Sequence, residues 1–363
     1  MVPLLCEETL FTQDLIFGQS PNWIQISPSE SILDLVTRLF SRAFVGEEIS
    51  HNEEWIKVVK EYLATAVVAV AKLNKIPPSF KKLFSWFSGD CKRAHNYIIR
   101  ARNILTPVLE KRRLLKQKAQ TEDGSIPYFN DAIEWAEIHR NGNALDMVHL
   151  QLGFVVGTVG NTANLIGQVL VCLANEPELI IPLREEIIGV LKAHGWSRNA
   201  LHHMKLLDSA IKEAQRLKPT NMMTMRRLAL ADADFSGGLS IKKGQLVGID
   251  TTNLMNPDIY PDPNKYDIYR FKRMGDDPLR RSKAQLVSTS PDHFAFGHGI
   301  HVCPGRSFAA DAMKIVLCHL LVQYEWRLES GVGAKHLAIG CALVVNPAVK
   351  LMFKRREKGI LPK

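Results

Sequence analysis

The chain is poor in the features that sort proteins into special classes. Its six cysteines (Cys6, Cys91, Cys172, Cys303, Cys318 and Cys341) stand far apart, with no C-x-x-C and no paired spacing. That argues against a disulfide framework and for a reducing compartment. There is no polybasic run interleaved with aromatics, so the formal charge of +9 points to a membrane surface or an acidic protein partner before nucleic acid. The basic stretch from Lys350 to Lys358 reads as a solvated edge. Long apolar runs are missing too: the longest apolar window, Leu63 to Leu73, is too short to span a bilayer. Glu7 and Glu8 stand where a signal peptide needs a basic flank, so the chain reads as soluble. No internal repeat or low-complexity segment occurs, and Gly297-x-Gly299 lacks the third glycine of a dinucleotide fingerprint. What remains is 363 residues, 46% hydrophobic and 23% charged, enough for a large globular core.

Hydrophobic periodicity predicts mostly helices. Residues 1–26 show no clear period. Ser27-Pro28-Ser29-Glu30 is a capping box with proline at the first helical position, and Ile32, Leu35, Val36, Leu39 and Phe40 follow at helical spacing up to Gly46. Further helices are predicted from Asn52 to Leu73, Lys92 to Lys118, Asn130 to His139, Pro182 to His194, Leu206 to Leu217 and Ser307 to Tyr324. The apolar stretch from Ala144 to Ala174 is long enough to cross the core, and Gln120 to Ser125 reads as a surface loop within one domain. After Pro219 short strands are expected at Arg227 to Ala231, Leu239 to Ile241 and Gln245 to Ile249, followed by a proline-rich meander from Asn256 to Pro278.

Three stretches carry chemistry. From Phe294 to Arg306, glycines at 297, 299 and 305 surround a lone cysteine, Cys303, just ahead of an apolar helical pattern. Helix-start N–H groups that face its sulfur favour the thiolate, a charged ligand for a metal. Glu213 and Arg216, at i and i+3 on the Leu206 to Leu217 helix, can pair. Arg270 closes the stretch that begins at Tyr266. His298, His301 and Cys303 are also nitrogen and sulfur donors close together, which keeps a structural zinc site open as an alternative.

The cysteine stretch resembles the haem-binding loop of the cytochrome P450 family, Phe-x-x-Gly-x-(His/Arg)-x-Cys-x-Gly, through Phe296, Gly297, Gly299, His301, Cys303 and Gly305. The resemblance implies that Cys303 is the axial thiolate of haem iron, pushing electron density toward the metal to favour O–O cleavage. It further implies that Glu213, Arg216 and Arg270 form a buried charge cluster behind the haem, with Ile268 where the family often has proline. Arg227, with Arg226 as its alternative, and His301 would bind the haem propionates by charge-assisted bonds. Over the haem the resemblance places Phe154, Val155 and Gly157, then Met222, Met223 and Thr224, then Ala342 and Leu343, an apolar set suited to an apolar substrate. The proton-relay segment falls on Gly157 to Thr162. Here the chain departs from the family: Gly160 and Asn161 occupy the acid and threonine positions, and Thr162 follows one residue later. Asn161 and Thr162 are therefore the catalytic candidates, Asn161 by donating a hydrogen bond or holding a water.

Similarity extends from the stretch Phe40 to Trp55 through Pro182 to Ile187 and Ile259 to Pro263, and looks like filamentous-fungal P450s of secondary metabolism that oxidise terpenoid and indole-diterpene skeletons. It implies a mainly α fold with a small β region: the P450 fold, N-terminally truncated, as a single domain over residues 1–363 that lacks the family's anchor, first strands and first helices. The implied activity is a haem-thiolate monooxygenase oxidising a terpenoid-like intermediate of a mycotoxin-type pathway. Electrons would come from NADPH through NADPH-cytochrome P450 reductase, and the chain would be a monomer. The family usually sits on the cytosolic face of the endoplasmic reticulum membrane, whereas no anchor in this chain leaves a cytoplasmic location open. The alternative is a catalytically inactive remnant that binds haem weakly or not at all.

Overall fold

The computed structural model describes residues 1–121, 124–140, 142, 144–329 and 336–357, and these form two compact units. One comprises Met1–Gly18 and Glu30–Ala163, the other Gln19–Ser29 and Asn164–Lys363. Within the expected loop from Gln120 to Ser125, Gln120 and Thr121 continue a helix, while Glu122 and Asp123 lie outside the described residues.

The first unit carries α1 (Val2–Phe17), most of α2 (Pro28–Val45), α3 (Glu47–Ser50), α4 (Glu53–Leu73), α5 (Lys81–Phe87), α6 (Gly89–Thr121), α7 (Ala132–His139) and the first half of α8 (Met147–Asn175). The periodic residues of α2 behave as expected: Ile32, Leu35, Val36, Leu39 and Phe40 are fully buried. At about 1.5–3 kcal/mol each, they hold the helix in place more firmly than its intrinsic propensity does. Asn52 caps α4 by accepting from the Trp55 amide at 3.0 Å, and the Trp55 indole donates to Ser41 at 3.0 Å, joining α4 to α2. Arg112 of α6 is buried and donates to Asp131 at 2.7 Å and to the Val45 carbonyl at 3.3 Å. Gly46, at φ +82°, passes so close to this pair that a Cβ there would collide with both side chains.

Two expectations for this unit change. α1 occupies residues that show no period, because its inward face includes Glu8, Thr9, Thr12 and Gln13 while Leu10, Phe11 and Leu15 are exposed. The apolar window at Leu63 to Leu73 is not the most membrane-like stretch. Among the described residues, α8 alone is long and apolar enough to cross a membrane, and 61% of its most apolar window is buried, the pattern of a core helix.

The second unit holds α9 (Ile180–His194), α10 (Arg198–His203), α11 (Lys205–Leu217), α12 (Arg270–Asp276), α13 (Arg306–Gln323) and, among the described residues, the strands. β1 (Ile24–Ile26) and β6 (Tyr324–Leu328) flank β9 (Leu351–Arg355) in an antiparallel sheet, with Trp326 and Ile24 both opposite Phe353. The basic C-terminal stretch is therefore a central strand rather than a solvated edge. Leu351 and Phe353 alternate inward, Trp326 stacks on Phe353 at 5.6 Å, and Lys354 lies over the Trp23 ring; Lys358 is outside the described residues. β2 (Met223–Leu228) pairs with β5 (Leu246–Asp250), β3 (Ala233–Asp234) with β4 (Ser240–Ile241), and β7 (Leu337–Ile339) with β8 (Ala342–Val344). Arg227 does not open the first strand as expected. It is the fifth residue of β2, beyond a register shift that follows Thr224.

His319, in the C-terminal third of α13, is buried, with its ring stacked on Trp196 at 4.8 Å and Nε2 without a partner. Burial pulls its pKa down to about 3, with the Arg355 charge adding to the shift. The unfolded imidazole titrates near 6.5, so between about 6.5 and about 3 the unfolded chain takes up a proton that the folded chain refuses. Stability is thus full above pH 6.5 and falls as the pH drops. His319→Phe, which keeps a ring against Trp196, should flatten the fall of unfolding free energy between pH 6.5 and 4 by about 1.4 kcal/mol per pH unit, read from urea midpoints. An unchanged slope would remove His319 as its source.

Candidate functional site

The site is built on α11, whose sequence places Glu213 three residues before Arg216 and so stacks them on one face. Both are completely buried. The Arg216 guanidinium donates to both Glu213 oxygens at 2.8 Å, and Arg270, from the first turn of α12, donates to Oε1 at 2.9 Å. The remaining donors are also used: Arg216 reaches the carbonyls of Leu254 and Pro263, and Arg270 those of Pro261 and Asp262. Tyr260 lies under the Arg216 guanidinium at 5.1 Å. Two arginines on one carboxylate leave a net positive charge, spread over carbonyl oxygens of the segment from Leu254 to Pro263, and this ties the irregular segment to the helix.

The second element is the loop that enters α13. The Gly297 amide donates to Phe294 O at 2.8 Å, the Cys303 amide to Phe296 O at 2.8 Å, and the Val302 amide to Gly299 O at 3.1 Å. Gly297 takes φ +75°, and a Cβ there would lie 3.3 Å from the His301 carbonyl, so the turn needs glycine. Arg306 at the start of α13 donates to the Cys303 carbonyl at 2.8 Å. Two of these bonds use the backbone of Cys303, one its amide and one its carbonyl. Its thiol is free and half-buried, three residues before the first turn of α13, with Gly305 as N-cap. One open sulfur on a rigid loop at a helix start, with its backbone fully engaged, fits a single thiolate ligand to a metal held in a larger ring.

His301 and Arg227 are both exposed. Arg227 uses one guanidinium nitrogen on its neighbour's carbonyl, leaving N–H groups that fit the carboxylates of such a ring. Met222, Ala342 and Leu343 come together: the Met222 amide donates to Cys341 O at 2.7 Å, the Leu343 amide to Thr220 O at 3.2 Å, and Asn164 braces Leu343 O at 2.9 Å. Met223 is exposed, and the Thr224 hydroxyl is buried without a partner, a polar group that fits a bound oxygen or nitrogen. On α8, Gly153, Phe154, Val156, Gly157 and Asn161 form an exposed strip. Val155 and Thr162 are not on it; both are buried, since one helical step of about 100° turns each inward. Asn161 is exposed and its amide donates back to Gly157 O at 3.4 Å. Gly160 leaves room for a side chain, with Leu63 at 3.6 Å from a built Cβ. Among the described residues no three of His, Cys, Asp and Glu gather as metal ligands, so His298, His301 and Cys303 do not make a zinc site.

Sequence reasoning missed Asp208, Ser209 and Lys212 of α11. Asp208 accepts from the Leu286 amide at 2.7 Å and Ser209 from the Phe271 and Lys272 amides at 3.0 Å. Lys212 donates to the carbonyls of Lys283, Gln285 and Ser288. A signal was present: polar residues at i, i+1, i+4, i+5 and i+8 along a helix otherwise rich in leucine and alanine.

Residues 17–355 match the family model for cytochrome P450. The chain is similar to the cytochrome P450 monooxygenase easM of Aspergillus fumigatus, 36% identical over 359 residues, covering 99% of this chain and 69% of that one. It is 36% identical over 356 residues to the cytochrome P450 monooxygenase 1 of Gibberella fujikuroi, covering 98% and 81%. With hepE of Aspergillus oryzae, also named a cytochrome P450 monooxygenase, it shares 37% over 360 residues, covering 99% and 66%. Among solved structures, the retinoic acid-bound cyanobacterial CYP120A1 superposes with a TM-score of 0.68 at 18% identity, over 98% of this chain and 74% of that one, a likeness of fold.

Proposed function

The chain belongs to the cytochrome P450 family, and from that premise we propose that it is a haem-thiolate monooxygenase that oxidises an apolar small molecule. The observation that carries the reading is the free, half-buried thiol of Cys303, a residue whose own amide and carbonyl are both bonded without it. Haem, when bound, supplies dioxygen activation and insertion of one oxygen atom into substrate. Cys303 would ligate the iron and hold negative charge on it. Arg227 and His301 would anchor the propionates, while Phe296, Gly297 and Gly305 shape the loop. Glu213, Arg216 and Arg270 would keep that part of the chain rigid.

Substrate contacts in this reading come from Met222, Met223, Thr224, Ala342 and Leu343 of the second unit. Their apolar character supports an apolar substrate, and the resemblance to fungal secondary-metabolism enzymes supports a terpenoid-like intermediate of a mycotoxin-type pathway. Electrons would come from NADPH through a P450 reductase. The test is a carbon monoxide difference spectrum of the purified, reduced chain, which should show the Soret band of a thiolate-ligated haem. A chain that takes up no haem would sink the reading.

A second reading, a haem protein with little turnover, is favoured by Asn161. Its exposed amide turns back to Gly157, a poorer proton relay than a hydroxyl. Asn161→Thr should raise product formation by about tenfold at unchanged haem content, since a placed proton donor contributes at least that much. Equal rates in the two proteins would mean that position 161 carries no proton.

A further inference from the structure

The side chains of α11 do more than close the Glu213 cluster. Asp208, Ser209, Lys212, Glu213 and Arg216 lie along one face, and each bonds to backbone between Leu254 and Ser288, α12 included. The pairing is matched in sign: Asp208, Ser209 and Glu213 accept from N–H groups, while Lys212 and Arg216 donate to carbonyls. Lys212 makes three of these bonds, at the end of the segment nearest the cysteine loop. It is completely buried, and its Nζ donates to Gln285 O at 2.6 Å, Lys283 O at 2.7 Å and Ser288 O at 3.1 Å, with the Phe271 ring 5.0 Å away.

Residues 284–288 have no helix or strand of their own; Gln285 O accepts from the Ser288 amide at 2.9 Å, and the lysine supplies a further donor to it and to the carbonyls of Lys283 and Ser288. Beyond them the chain makes the short Ser290–His293 bridge, takes the Tyr260 hydroxyl on Asp292 O at 3.1 Å and bonds Thr289 to His298 at 3.0 Å before the turn at Phe294 to Gly297 that bonds Cys303. Burial pulls the lysine pKa down to about 7, with Asp208 opposing the shift, yet three carbonyl acceptors use all three protons of the ammonium, and a neutral amine would leave one unmet. A buried amine with every proton engaged is closed to substrate, which argues against a nucleophile or a general base and for a structural clamp.

We propose that Lys212, as an ammonium, is a positioning residue for the Cys303 loop, holding the backbone of residues 283–288 so that the chain enters the loop in one place. The consequence for iron rests on the reading of Cys303 as the axial ligand; the clamp itself does not.

The test uses the full chain with Lys212→Met, which keeps the length and apolar stem and removes the donors. Amide hydrogen exchange over residues 284–303 should quicken by about tenfold while α13 is unchanged, because the loss is a local opening. Alkylation of Cys303 by iodoacetamide, followed by peptide mass, should quicken by a similar factor. In haem-loaded protein the fraction of thiolate-type Soret band should fall. A folded variant whose exchange and alkylation stay within about twofold of the parent overturns the clamp. So does a loosened loop with an undiminished band in a parent that shows one, because the clamp would then not position the sulfur. If the variant does not fold, acetylation of the native parent decides. Lys212 should react about a hundredfold more slowly than Lys205, and equal rates overturn the proposal. A parent without haem whose loop loosens in the variant leaves the clamp standing and removes the monooxygenase reading.

Discussion

Cys303→Ala is expected to abolish the thiolate-type Soret band of the reduced, carbon monoxide-treated chain while leaving the fold intact. The two halves of this expectation have different causes. The band depends on sulfur donating charge to iron, and alanine offers no donor atom in its place. The fold does not depend on that sulfur, because the loop is held by amides and carbonyls: Cys303 N on Phe296 O, Val302 N on Gly299 O, and Arg306 on the Cys303 carbonyl. All three bonds survive the substitution. A half-buried side chain trimmed by one atom outside such features should change the urea midpoint by the equivalent of no more than about 0.5 kcal/mol. Far-ultraviolet circular dichroism and urea titration check the fold, and the difference spectrum checks the ligand. A band that persists would assign the thiolate to another cysteine, such as the exposed Cys341.

Glu213→Gln is expected to cost about 3–5 kcal/mol, enough to unfold much of the population of an ordinary domain. The substitution keeps size and shape and removes one charge. Arg216 and Arg270 would then sit close together, buried to 0% and 9% side-chain exposure, with only carbonyl oxygens and an amide to face. Burying two like charges without a counter-charge is the dear part; the hydrogen bonds lost are the smaller part. Arg216→Met should be milder, because it removes a buried charge together with its need for a partner and leaves Glu213 paired with Arg270. The order of the two urea midpoints tests the electrostatic account. Equal losses would mean that packing alone accounts for the cost, and an unchanged midpoint in Glu213→Gln would mean that the carboxylate is not holding the arginines.

Much of the site was legible because its parts are local. The Glu213–Arg216 spacing places both on one helical face wherever the helix lies, and Gly297 and Gly305 around Cys303 mark a turn before a helix by backbone chemistry alone. Arg270 was reachable through the order in which the family places its cluster. Lys212 was not, since a lysine on an amphipathic helix ordinarily faces water. Only the carbonyls of residues 283, 285 and 288, about seventy positions away, turn that polar face into a buried one. The basic C-terminal stretch was misread for the same reason. Its alternating Leu351 and Phe353 become a core face only when β1, more than three hundred residues distant, and β6 close on either side.

By itself, then, the sequence determined what short-range stereochemistry can determine: which segments are helices with an apolar stripe, where glycine turns the chain, and that one cysteine stands free of any pairing pattern ahead of a helix. Only the tertiary structure decided which polar groups are buried, which carbonyls await a cation, and that Val155 and Thr162 turn inward while Val156 and Asn161 stay exposed. The physical reason is that burial and the pairing of buried charge belong to the surroundings a fold builds around a residue, and those surroundings are supplied by distant parts of the chain.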